Sequence, residues 1–330
     1  MPGARPFLAV RVGKIQRDGT MKHPVNTSKN RQRLSYLITV GKTHFIPLLT
    51  LLKTLNRKTK NPIYVVGNLT SEQRKAVHSS SIIYIDENDI DMSGRAPQVA
   101  WQTKYRDWPW YKQQFIRLCA DRFIDSEQVV ILDSEVFVFN NWDENRFYTQ
   151  AGLPKCFYWT SKIRKPDWDY QMYRGAAYLY RELPDFKDVD EYSNSDRYRR
   201  HISGVVLFST KNLRYIWNTL SEKTDLQKNI HCLFNETPEL AFSDHDFYGI
   251  AMDYGLCDSA AKTALSNELL GWYDVHRDEN FDLFANQNPM WSMCQRYRDY
   301  PTPDAYVAYV KAVAAKLGKR LPPHRFLQFF

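Results

Sequence analysis

No stretch of this chain reaches the run of about 18 apolar residues that a membrane-spanning helix requires, so no segment reads as a membrane span. Near the N-terminus the one apolar run, Pro6 to Val12, is too short for the hydrophobic core of a secretory signal. A cytoplasmic protein is the expectation. Cysteine is scarce as well. Cys119, Cys156, Cys232, Cys257 and Cys294 are odd in number, widely spaced and without a C-x-x-C pair, which leaves no zinc or redox motif and reads as buried free thiols in a reducing compartment. Glycine is thin, at 13 of 330 residues, and no glycine-rich loop follows any strand-like run. Gly41-Lys42-Thr43 invites a phosphate-loop reading, but the glycine required five positions earlier is replaced by Tyr36, so that reading falls. The same lack weighs against a sugar-1-phosphate nucleotidyltransferase, whose first strand is followed by such a loop.

What is present begins with size. A chain of 330 residues with 43% apolar composition can bury a large core. Aromatic residues make up 15%, with 9 Trp and 21 Tyr, enough to supply stacking surfaces for sugars or bases beside ordinary packing. The net charge of +8 favours anionic partners: nucleotide diphosphates, acidic glycans, anionic lipid or nucleic acid. No nucleic-acid recognition motif accompanies the charge, so specific nucleic-acid binding is not expected.

The chain reads as three parts. Residues 1–33 form a basic, poorly periodic arm. Residues 34–280 alternate strand and helix: strands at Leu34 to Val40, Pro62 to Val66, Ile82 to Ile85, Val129 to Phe139, Phe157 to Thr160 and Gly204 to Phe208, with helices at His44 to Leu55, Thr70 to Val77, Pro109 to about Phe123, Lys211 to Leu220 and Asp244 to Tyr254. That alternation predicts an α/β fold with a doubly wound, mostly parallel central sheet flanked by helices. Residues 86–108 read as a long polar loop and 162–200 as irregular. Residues 281–330 predict a helical C-terminal extension, its helix opened by Thr302-Pro303-Asp304 and closed by Gly318, and then a basic, aromatic tail read first as docking on its own domain, with a partner subunit or an anionic membrane surface as the other readings.

The chemistry concentrates on Val129 to Phe139, where an apolar run delivers Asp133 and Glu135 before turning apolar again. Ligands of open α/β sheets bind at the carboxyl ends of strands, and two close carboxylates there suit a hard divalent cation that also holds a diphosphate. Thr39, Val40 and Gly41 end the first strand and offer backbone and small side chains to a nucleobase or ribose. An ordinary strand-to-helix turn explains them equally well. Arg117 can reach a phosphate or orient Asp133; Gln113, on the same helix, and Ser134, between the acids, complete the expected donor-binding set. Ser243 to Asp246 is a helix-capping box that accounts for Asp246 structurally. Asp244, at the same helix start, is kept ionised by the dipole and suits proton acceptance or hydroxyl binding, so both acids stand as catalytic candidates. His276 is a candidate third metal ligand and His201 a comparable one.

The order of these pieces resembles that of GT-A-fold glycosyltransferases. Phe115-Ile116-Arg117-Leu118, Leu132-Asp133-Ser134-Glu135 and Asp244-His245-Asp246 follow the Y-x-R-L, L-D-x-D and D-Q-D pattern of glycogenin-type enzymes, in which a histidine ligand comes later. Closer still, Trp110 to Gln114, Asp133 to Glu135 and Phe242 to Gly249 look like the W-x-x-Q-Q, D-x-D and F-S-E-Y-E-x-Y-G motifs of an uncharacterised bacterial family of glycosyltransferase-like proteins. The resemblance covers roughly residues 34–280. It implies a metal-dependent transfer of sugar from a nucleotide diphosphate sugar, most simply a UDP-sugar, to a glycan or lipid-linked acceptor, as in surface polysaccharide synthesis. Mn²⁺ or Mg²⁺ would sit on Asp133 and Glu135, Arg117 would contact the donor, and Asp244 would lie on the acceptor side. Two positions depart from the pattern: Glu135 replaces an aspartate, and His245 replaces a glutamine or tyrosine. A non-catalytic glycan-binding protein on the same fold is the alternative.

Overall fold

The computed structural model describes residues 34–97, 106–162, 167–184, 186, 197–201, 203–237, 239–268, 270–273, 288–294 and 297–321. The chain divides into a first unit, Met1–Arg31, and a second, Gln32–Phe330, to which every element below belongs. In chain order these are β1 (Leu34–Val40), α1 (Phe45–Leu55), β2 (Ile63–Gly67), α2 (Ser71–Val77), β3 (Ile82–Asp86), α3 (Trp108–Leu118), α4 (Ala120–Phe123), β4 (Gln128–Asp133), β5 (Val136–Val138), β6 (Lys155–Phe157), β7 (Trp159–Lys162), α5 (Trp168–Tyr178), β8 (Arg197–Arg200), β9 (Val205–Ser209), α6 (Thr210–Lys223), α7 (Leu226–Asn235), α8 (Asp244–Asp253), β10 (Ala264–Ser266), β11 (Gly271–Tyr273), β12 (Trp291–Met293) and α9 (Pro303–Lys316).

The sequence of β1, Leu-Ser-Tyr-Leu-Ile-Thr-Val, is buried at every position, as a strand covered on both faces requires. Its side chains alternate between two cores. Leu37 joins Ile131 and Phe208 under α3, α6 and α8, while Tyr36, Ile38 and Val40 join Leu132 and Leu207 on the α1 side. The central sheet runs β3-β2-β1-β4-β9. Neighbours among the first four strands are parallel, and β9 is antiparallel to β4. The protein is thus a mixed α/β fold with a mainly parallel central sheet flanked by helices. Among the described residues no helix is long and apolar enough to cross a membrane.

The structure refines the expected elements in physically informative ways. The apolar run 129–139 is two strands, not one: the chain leaves the central sheet after Asp133 and re-enters a three-stranded sheet as β5, antiparallel to β12. The acids occupy the bend between them. The helix expected over 109–123 breaks at Cys119, where φ −98° and ψ 9° end α3. The irregular stretch 162–200 contains α5 and β8. In α5, Gly175 lies against the chain before α8, where an added Cβ would stand 1.6 Å from the Ala241 carbonyl oxygen; only glycine permits that approach. The predicted C-terminal helix is α9, capped by Thr302 Oγ1 with Pro303 in its first turn. Its Tyr306, Val310 and Val313 pack on Phe137 and Phe139 of the β5 segment. All five cysteines are free, four of them buried and Cys257 half-buried.

Candidate active site

The carboxyl edge of the central sheet is where separate parts of the sequence meet. β1 and β4 run side by side in a register that pairs Thr39 with Asp133, so both end at one level. Because β9 is antiparallel, its beginning reaches the same edge, and the Gly204 carbonyl accepts the Asp133 N–H at 3.1 Å. The start of α8 arrives there too, with the Asp244 N–H donating to Gln114 Oε1 of α3 at 2.9 Å.

Arg117 ties these ends together. Its Nε donates to Thr39 Oγ1 at 2.8 Å, its Nη2 to Asp133 Oδ1 at 2.6 Å, and its Nη1 lies 3.7 Å from Asp244 Oδ2. The side chain is only 7% exposed, and burial works against its charge. The surrounding carboxylates, Asp133 and Asp244 first, outweigh burial and raise its pKa. Burial likewise lifts Asp133 above the usual carboxylate range, with Arg117 opposing, and pushes Asp244 up to about 6 against the same cation. Glu135 goes the other way. Burial would raise it, but His44 Nε2, 3.3 Å from Oε1, and Ser134 Oγ, donating to Oε2 at 2.8 Å, hold it low.

Most of the expected site residues therefore converge. Gln113 and His44 close over Gly41, where a Cβ would meet Gln113 Nε2 at 3.4 Å and His44 Nδ1 at 3.2 Å. Val40 offers only backbone, its side chain being in the core. Ser134 is buried and engaged with Glu135. Asp246 faces elsewhere: its Oδ1 accepts the His201 N–H at 3.0 Å, its Oδ2 lies 3.8 Å from Arg200 Nε, and its own N–H is capped by Ser243 Oγ. His201 belongs to that second network, with Nε2 3.1 Å from Asp253 Oδ2. Burial alone would lower its pKa, but the hydrogen bond to Asp253 leads the opposing contributions and raises it to about 10. His276 lies outside the described residues.

Three further residues were not among the site residues expected from sequence: Gln114, His44 and His245. Gln114 precedes Arg117 by three positions, which places the two on one helical face. His44 opens the turn after β1 at the edge where ligands bind. His245 has no comparable local signal.

A divalent ion fits this donor set on stated terms. The side chains of Asp133 and Glu135 are 22% and 17% exposed, against 3% for Asp244, so the first two open outward. Among the described residues no group of three or more His, Cys, Asp or Glu side chains is placed to hold a metal unaided. Two carboxylates plus phosphate oxygens is, however, a common way to bind Mg²⁺, and the outward pair suits it.

No family model matches the sequence, and no curated protein matches it. Solved structures to which it is similar include core-mannan synthase A of Aspergillus fumigatus in a Mn/GDP form, at 13% identity and TM-score 0.43, over 80% of this chain and 79% of that one. Another is the apo structure of the bifunctional glycosyltransferase WbbM, at 13% identity and TM-score 0.39, over 88% of this chain and 45% of that one. The chain thus spans less than half the length of WbbM.

Proposed function

We propose that the protein is a glycosyltransferase that moves a sugar from a nucleotide diphosphate sugar, most simply a UDP-sugar, to a hydroxyl of a glycan or lipid-linked acceptor. The observation that carries this reading is the position of Arg117, which joins Thr39 at the end of β1, Asp133 at the end of β4 and Asp244 at the start of α8. Nucleotide and diphosphate would lie along Thr39, the Val40 backbone, Gly41 and Gln113, with Ser134 and Arg117 fixing the orientation of the acidic bend. Asp133 and Glu135 would hold Mn²⁺ or Mg²⁺ together with the diphosphate, and His276 is the third ligand in this proposal. Such an ion, when bound, neutralises charge on a departing diphosphate.

Asp244 is the residue assigned to the acceptor hydroxyl. With its pKa at about 6, it is ionised at neutral pH yet basic enough to take a proton, the balance a general base needs in an inverting transfer; in a retaining transfer the same carboxylate positions the hydroxyl or stabilises the oxocarbenium-like state. Asp246 is assigned to holding the first turn of α8, since Arg200 and the His201 backbone occupy its carboxylate. The start of the basic tail is assigned to docking on its own domain, where Leu321 packs against the cluster of Phe137, Phe139 and Tyr306, and an anionic membrane surface near a lipid-linked acceptor is the second reading of the tail.

Calorimetry with Mn²⁺ and UDP tests the proposal. Binding of both is expected, with loss in an Asp133→Ala/Glu135→Ala variant; failure of wild type to bind either, or equal binding by the variant, defeats it. A panel of nucleotide sugars, read by released nucleotide, then identifies the donor.

A further inference from the structure

Around the start of α8, three polar atoms are buried and lack a hydrogen-bond partner among the described residues: Asp244 Oδ2 and His245 Nε2 of α8 and Gln114 Nε2 of α3. Their residues are 2%, 6% and 4% exposed. Unpaired groups so deeply buried each cost on the order of 1–3 kcal/mol and are rare unless a ligand or water serves them. Their donor and acceptor roles are fixed by their other contacts. The Ser203 N–H donates to His245 Nδ1 at 3.4 Å, so in the neutral ring the proton resides on Nε2. Burial, seconded by the charge of Arg117, lowers the His245 pKa to about 3, which keeps the ring neutral. Gln114 Oε1 accepts the Asp244 N–H, which leaves Nε2 as a donor.

His245 Nε2 stands 3.6 Å and Arg117 Nη1 3.7 Å from Asp244 Oδ2. Both distances exceed a direct hydrogen bond, but one oxygen atom can reach both sides. A hydroxyl satisfies the arrangement because it donates once and accepts besides. A phosphate oxygen has no proton for Asp244, and an amine, protonated at neutral pH, has no acceptor for His245.

We propose that Asp244 Oδ2 and His245 Nε2–H form a hydroxyl subsite, in which one sugar hydroxyl donates to Asp244 and accepts from His245, with Gln114 Nε2 as a second donor at the same helix start. His245 is a positioning residue that selects a hydroxyl at one place on the ring. This deepens the glycosyltransferase reading, and the hydroxyl can come from the donor sugar or from the acceptor.

The test uses the full chain, with binding measured by calorimetry in two arms: nucleotide sugars against UDP alone, and free monosaccharides. Each arm includes analogues deoxygenated one position at a time, and wild type is compared with His245→Phe. The expected result is one hydroxyl whose removal weakens wild-type binding by about 10- to 100-fold. His245→Phe suffers the same loss without further penalty from the deoxy analogue and keeps UDP affinity. His245→Gln, which restores a donor, recovers part of it. The arm that shows the effect identifies the source. If UDP fails to bind while a monosaccharide shows this coupling, the nucleotide reading falls and the subsite stands. If neither arm distinguishes wild type from His245→Phe, or from His245→Gln should the first variant not fold, the subsite is refuted and a trapped water serves these atoms.

Discussion

Arg117→Met is the most informative single perturbation, because one cation compensates two carboxylates in a nearly dry place. Its side chain is 7% exposed, with Asp133 at 2.6 Å and Asp244 at 3.7 Å. An opposite charge this close is worth about 1–3 pKa units to a carboxylate, which at about 1.36 kcal/mol per unit amounts to about 1.4–4 kcal/mol. Removing one member of a buried pair costs about 3–5 kcal/mol in the cases that resemble it, and the 22% exposure of Asp133 favours the lower figure. The loss depends on pH in a defined direction. In wild type Asp244 titrates near 6 when folded, above its ordinary value of 3.8, so stability is present below about pH 4 and declines as pH rises through 6. Without Arg117 the folded pKa rises further, extending that decline to higher pH. Urea denaturation followed by tryptophan fluorescence should therefore show a deficit of about 3 kcal/mol at pH 8 that shrinks below pH 6. A deficit independent of pH, or smaller than about 1 kcal/mol at pH 8, would refute the reasoning.

Turnover should fall as pH drops below about 6, since Asp244 must be ionised to take a proton, and Asp244→Asn should lose about 10²- to 10⁴-fold in turnover while still binding UDP; a wild-type profile flat from pH 5 to 8 contradicts the assignment. Gly249→Ala would place a methyl 1.9 Å from His201 Cγ, so the imidazole must leave Asp253, and a loss of at least about 1–3 kcal/mol is expected in thermal melts. The His201 pKa is raised to about 10 by its contact with Asp253, so its stabilisation is complete below about pH 6.5 and disappears as pH rises through 10. Asp253→Asn should flatten that dependence, and an unchanged slope would show that another group causes it.

The parts of the fold that could be read from sequence are those where local pattern and tertiary context agree. Burial on two faces makes β1 and β4 mostly apolar, and α9 carries both its Thr302 cap and its proline. Reading failed where partners far along the chain decide the local structure. α5 has polar and aromatic residues around its circumference, yet Tyr170, Tyr173 and Ala177 are buried against α7 and α8, so its periodicity is blurred. The antiparallel direction of β9 leaves no trace in Val-Val-Leu-Phe-Ser, because a strand buried on both faces has the same composition in either direction.

The same division runs through the site, and its cause is the bend at residues 133–136. Asp133 and Glu135 were legible because two charges interrupting an apolar run have few structural explanations. What the run cannot express is that the chain changes sheets there, with the Asp133 N–H held by Gly204 and the Glu135 carbonyl by the Cys294 N–H and Tyr306 Oη. Those anchors come from residues about 70 and 160–170 positions away. They also separate the duties of the two acids. Asp133, the last residue of β4, stays in reach of Arg117, whereas Glu135, already committed to the second sheet, turns to His44 and Ser134. A longer side chain at 135 is therefore a consequence of geometry, since it must span back from the second sheet toward the edge of the first. Glu135→Asp would shorten that reach by one methylene and should weaken the His44 contact more than the Ser134 one, which is local. A crystal structure of Glu135→Asp checks this: a separation between His44 Nε2 and the shortened carboxylate well beyond the 3.3 Å of the wild type is expected, and an unchanged one would mean that the bend, not the side-chain length, sets the distance.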